Sequence, residues 1–133
     1  MAVLQTTEAL QAQMRLAHLS NTLCRYRYRY GNEEQLHVAI GEVLDQAGLP
    51  FTNEYSLDVK NRADFWLDGL VIEVKVDGSL SAALRQCDRY LKLPHVTGLV
   101  LASTQRWASK PLEAKPNWAG KPFAMIRLVR QAL

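Results

Sequence analysis

The chain has 133 residues, with 16 Lys and Arg against 13 Asp and Glu and a net charge of +3. This length suits one domain with a real core, and the apolar share of 48% is that of an ordinary globular protein. No apolar run approaches the roughly 20 residues of a membrane helix, and Met1 to Asn21 holds no basic segment followed by an apolar block, so a cytoplasmic protein without a membrane partner is expected.

In chain order, residues 5–20 are predicted to be a helix, with Leu4, Leu10, Met14 and Ala17 near helical spacing. Arg25-Tyr26-Arg27-Tyr28-Arg29-Tyr30 alternates strictly and reads as an extended segment, Arg on one side and Tyr on the other. Asn32 is an N-cap for a second helix to about Ala47, with Leu36, Ile40, Val43 and Leu44 on its apolar face; Gly48 fits the C′ position and Pro50 prevents continuation. Phe51 to Leu57 reads as a strand. Arg62 to Leu67 and Leu70 to Val76 read as a hairpin around Asp68-Gly69, a strong type I′ turn signal. Ser79 caps a third helix to about Lys92, and Pro94 follows it. Thr97 to Ala102 is a short, continuously apolar strand and is expected to be buried. Residues 104–121, with Trp107 and Trp118, read as a long loop, and Phe123 to Val129 as a last strand. The resulting class is α/β, a mixed central sheet flanked by helices.

Charge is unevenly spread: residues 1–30 carry +3, residues 31–105 carry −5 and residues 106–133 carry +5. An acidic middle between basic ends is the pattern of a metal-binding centre with phosphate-binding flanks. Cys24 and Cys87 have neither metal-ligand spacing nor a disulfide framework, and are expected as reduced thiols.

The hairpin has chemical consequences. A two-residue turn at Asp68-Gly69 pairs Leu67 with Leu70, Trp66 with Val71, Phe65 with Ile72 and Asp64 with Glu73. One face then carries Phe65, Leu67, Leu70, Ile72, Val74 and Val76, all apolar, and the other carries Asp64, Trp66, Val71, Glu73 and Lys75. Two carboxylates directly across a strand pair repel each other. A hard divalent cation such as Mg²⁺ offsets that repulsion, and Lys75 adds a positive charge on the same face.

Asp64 followed by Glu73-Val74-Lys75 after a short apolar hairpin resembles the core of the PD-(D/E)XK nuclease superfamily, although Ala63 stands where Pro is usual. Glu33-x-x-Leu36 opens the helix before the sheet, as in archaeal Holliday-junction resolvases, and Gln86-x-x-x-Tyr90 is similar to a motif of RecB-like nucleases. The resemblance spans roughly residues 32–103 and implies a restriction-endonuclease-like core in residues 32–133. Residues 1–31, the first helix and the Arg-Tyr segment, form an N-terminal extension to it.

The resemblance implies Mg²⁺ or Mn²⁺ held by Asp64, Glu73, the Val74 carbonyl and Glu33, with Glu34 as the substitute for Glu33. Position on the second helix also places Glu33 on its buried face, with Leu36 and Ile40. Lys75 is expected to position or deprotonate the attacking water, or to stabilise transition-state oxygens. Gln86 is expected to contact DNA or orient the site, with Tyr90 beside it. Arg25, Arg27, Arg29, Arg85, Arg89 and Tyr90 are candidates for nucleic-acid contact, the arginines at phosphates, and the tyrosines of the Arg-Tyr run are candidates for stacking on bases. His18, His37 and His95 are expected to be structural or solvated, and Glu54, Asp58 and Asp77 to be acids outside the site. The expected activity is hydrolysis of DNA phosphodiester bonds by an endonuclease without an organic cofactor, with the first helix as a candidate homodimer surface. The alternative is a catalytically silent DNA-binding module or a subunit of a larger DNA-processing complex.

Overall fold

The computed structural model describes residues 6–112, 118 and 120–131. Leu4 and Gln5 of the expected first helix, and residues 113–117 and 119 of the expected loop, lie outside the described residues. The fold is α/β: five strands form a mixed sheet, with three helices around it.

Helix α1 runs from Thr7 to Cys24, four residues beyond the expected end, and Thr6 caps it by accepting from the Ala9 amide. Its buried stripe is Ala12, Leu16, Leu19 and Leu23, whereas Leu10 and Met14 are exposed. The helix is therefore phased by its C-terminal leucines, not by the positions the sequence pattern suggested. Strand β1 is only Arg27–Tyr28; the rest of the alternating Arg-Tyr run is not strand.

Helix α2, Glu33–Gln46, has the expected Asn32 cap, which accepts from Gln35 N–H, and the expected apolar face. Gly48 takes φ +70°, and Gly48 and Leu49 donate to the Asp45 and Leu44 carbonyls, closing a Schellman motif. Strand β2 is Thr52–Ser56, antiparallel to β3, Arg62–Leu67, which is antiparallel to β4, Leu70–Lys75. Asp68 and Gly69 both have positive φ, as a type I′ turn requires.

Helix α3, Leu80–Leu91, starts at the Ser79 cap and carries the chain over to β5, Gly98–Ser103. All six residues of β5 are buried, and β5 runs parallel to both β4 and β6, Phe123–Arg127. The intervening loop contains a 3₁₀ turn at Arg106–Ser109. The expected last strand is broken at Leu128, whose amide turns to the Ser103 carbonyl; β7, Val129–Arg130, then pairs in parallel with β1.

Both faces of the sheet are covered. Leu16, Leu19 and Leu23 of α1 and Leu36, Ile40 and Leu44 of α2 pack with Phe65, Leu67, Leu70, Ile72 and Val74. On the opposite side, Ala83, Cys87, Tyr90 and Leu91 of α3 pack with Val71, Leu99 and Leu101. Alternation along β4 explains the division: even-numbered residues feed the first core and odd-numbered ones the second. The helix expected as an extension thus shares a core with α2 and the sheet. Among the described residues no helix is long and apolar enough to cross a membrane.

Candidate active site

The β3–β4 pairing follows the expected register through Leu67–Leu70, Trp66–Val71 and Phe65–Ile72. At the next position, Asp64 and Glu73, side chains replace the backbone ladder. The Asp64 amide donates to Glu73 Oε1 at 3.2 Å, and the Val74 amide donates to Asp64 Oδ2 at 2.8 Å. Each carboxylate is thus fixed by the other strand's main chain, or nearly so in register, without a flexible intermediary.

A local distortion accompanies this point. Ala63 packs beneath α3 while Phe65 packs beneath α1 and α2, although a regular strand would put both on one face. Asp64 lies between them. In β2 the residue facing Asp64 is Glu54, in the left-handed region at φ 48°, which is uncommon for a side chain of this kind.

Glu73 is 2% exposed. Burial and the neighbouring Asp64 charge push its carboxyl up to about 8, while the Lys75 ammonium, 3.6 Å from Glu73 Oε2, pulls the other way. Burial together with the Glu73 charge also holds the Cys87 thiol and the Tyr90 hydroxyl up to about 12. Glu73 therefore lies against the α3 side of the sheet. Val71 and Glu73, on the face shared with Asp64 and Lys75, are both buried, because the sheet is covered on both sides.

Gln86 Nε2 donates to the Tyr90 hydroxyl at 2.7 Å, and that hydroxyl donates to the Arg62 carbonyl at 2.9 Å. The pair ties α3 to β3 two residues before Asp64. Tyr90 is 3% exposed, which corrects its assignment to nucleic-acid contact: a ring packed in the core cannot stack on a base, and it serves to hold Gln86.

Glu33 does not lie on the buried face of α2. Its side chain is 54% exposed and its carboxylate stands 3.7 Å from His37 Nε2, one turn along. The helix turns Leu36 and Ile40 inward and leaves its first turn at the rim. Glu33 does line an open cleft of about 650 Å³ that Asp64 also lines, together with Glu34, His37, Glu42 and Glu54. Asp64 thus stands at a junction, with Glu73 and Lys75 on one side and this acidic cleft on the other. His37 and Glu54 were not expected at the site. The i, i+4 spacing from Glu33 was a usable signal for His37, whereas nothing local in the sequence places Glu54 opposite Asp64. Asp58 is occupied in its own turn, accepting from the Lys60 and Asn61 amides, and Asp77 is exposed. Among the described residues, no three His, Cys, Asp or Glu side chains stand close enough to form a ready-made metal cage.

Arg85 and Arg89 are exposed on α3 and line a separate shallow groove beside Trp118. Arg25, Arg27 and Arg29 are exposed around β1. No protein-family model, no curated protein and no solved structure matches this chain.

Proposed function

We propose that the chain is a metal-dependent nuclease hydrolysing DNA phosphodiester bonds, and that its sheet is a restriction-endonuclease-like core of the PD-(D/E)XK kind. The observation that carries this reading is the meeting of Asp64, Glu73 and Lys75 where the β3–β4 ladder gives way to side-chain bonds. The donor set fits a hard divalent cation. It consists of carboxylate oxygens, it carries more negative charge than Lys75 offsets, and one carboxyl is driven toward its neutral form in the absence of further positive charge.

Asp64 and Glu73 would hold Mg²⁺ or Mn²⁺, with the Val74 carbonyl between Glu73 and Lys75. The chemistry such an ion supplies when bound is a lowered pKa for the attacking water and relief of charge on phosphorus. Lys75, half-buried beside Glu73, either orients and deprotonates that water or stabilises the phosphoryl oxygens. Gln86, held by Tyr90, is placed to orient the site or the substrate. Glu33, at the rim of the cleft that Asp64 also lines, would be a further carboxylate toward the ion.

The test is cleavage of supercoiled plasmid, single strand, flap and four-way junction with Mg²⁺, Mn²⁺ or EDTA. The expected result is metal-dependent cutting that falls by on the order of 100-fold or more in both Glu73→Gln and Lys75→Ala. A wild-type chain that cuts none of these but binds DNA in a salt-sensitive way is instead a silent binding module or a subunit of a larger complex.

A further inference from the structure

The two basic stretches of the sequence are far apart along the chain but adjacent in space. Residues 25–31 and 123–131 together contain five arginines and no acid. Strand β1 pairs with β7 so that Arg27 lies beside Val129 and Tyr28 beside Arg130. The Tyr28 ring is buried, with its hydroxyl on the Leu23 carbonyl, so Arg27 and Arg29 both project outward. Arg25, Arg27, Arg29, Arg127 and Arg130 are all exposed, and among the described residues none has a carboxylate within ion-pair distance.

We propose that this two-stranded ribbon is a docking surface for DNA that grips the phosphodiester backbone, with the five arginines as its phosphate contacts. The proposal deepens the nuclease reading, on which the choice of DNA as the polyanion rests. Like charges gathered without direct ion pairs raise the potential of the free surface, and a polyanion relieves it while releasing its own counterions. Arginine suits the task because its planar fork binds phosphate oxygens in pairs. Arg130 is held in place by the fold: its Nη2 donates to the Tyr30 carbonyl at 2.7 Å, and its guanidinium lies 4.9 Å from the centre of the Tyr30 ring, which leaves its other donors free for phosphate. Tyr26, exposed between Arg25 and Arg27, offers a ring to an unpaired base.

The ribbon also has a geometric link to the candidate site. The groove between it and α2 is lined by Arg29 and Arg130, and by Glu34, Val38 and Glu42, which also line the cleft holding Asp64. The two glutamates repel phosphates from the groove floor, so the contact proposed is on the outer face of the ribbon.

The test is binding of a fluorescein-labelled DNA oligonucleotide, followed by anisotropy in EDTA across a salt series. The proteins are wild type, Arg27→Gln/Arg29→Gln, and the latter combined with Arg130→Gln, each checked by circular dichroism. The Arg27 and Arg29 side chains make no hydrogen bond among the described residues, so the double variant remains informative if loss of Arg130 unsettles the fold. The double variant is expected to bind about tenfold more weakly near physiological salt, with a log K against log salt slope shallower by about 2. Unchanged affinity and slope in the double variant would overturn the proposal. So would arginine-dependent binding to RNA or to phosphatidylserine vesicles with no binding to DNA. The two readings fail separately. Arginine-dependent DNA binding without metal-dependent cutting sinks the nuclease alone, and cutting with binding indifferent to the arginines sinks the ribbon alone.

Discussion

Glu73 concentrates the chemistry of the candidate site in one side chain, and its titration has a definite sign. Its carboxyl is raised from an ordinary 4.5 to about 8, so the folded chain binds more protons than the unfolded chain between these values. Stability contributed by this group is present below pH 4.5 and is lost as pH rises through 8. In EDTA, the melting temperature is expected to fall over this window, and Glu73→Gln to remove the slope. A wild-type profile as flat as that of Glu73→Gln would mean that Glu73 is charged throughout. The Asp64–Glu73–Lys75 set was legible because a two-residue turn fixes register, and register fixes which side chains meet. The exposure of Glu33 was not legible, since the sequence gives the phase of α2 about its own axis but not how far its first turn overhangs the sheet.

At the level of elements, caps and turns carried the most information. Asn32, Ser79, Gly48 and Asp68-Gly69 each have a local mechanism, and each marks its boundary within a residue. Helix α1 and the last strand were less legible because their limits depend on distant partners: α1 is phased by packing, and β6 ends where Leu128 turns to Ser103. The hairpin turn is held from two directions. Arg15 of α1 donates to the Leu67 and Asp68 carbonyls, and the Thr97 amide donates to the Gly69 carbonyl. Gly69 takes φ +101°, and a Cβ there would stand 2.6 Å from Thr97 Oγ1. Gly69→Ala is therefore expected to cost about 2 kcal/mol, read as a lower midpoint in urea denaturation. An unchanged midpoint would show that the turn can relax around a side chain.

For the whole molecule, the α/β class followed from the alternation of helical and strand patterns, while the closure of the chain on itself could not be seen from any local signal. Leu16, Leu19, Leu23 and Tyr28 are nearly inaccessible in the core shared with α2 and the sheet. Burying each such side chain contributes about 1.5–3 kcal/mol, against a typical total stability of about 5–15 kcal/mol. A fragment beginning at Gly31 is expected not to fold, giving collapsed amide dispersion in a proton–nitrogen NMR spectrum; a cooperative thermal transition in that fragment would make α1 dispensable. The pairing of β1 with β7 also orders events during synthesis. The carboxylates and lysine of the hairpin leave the ribosome well before Arg127 and Arg130, and β1 has no partner strand until residues 129 and 130 emerge. The ribbon is therefore a late feature of the chain: Arg27 and Arg130 become neighbours only once residues 129 and 130 are available to residues 27 and 28.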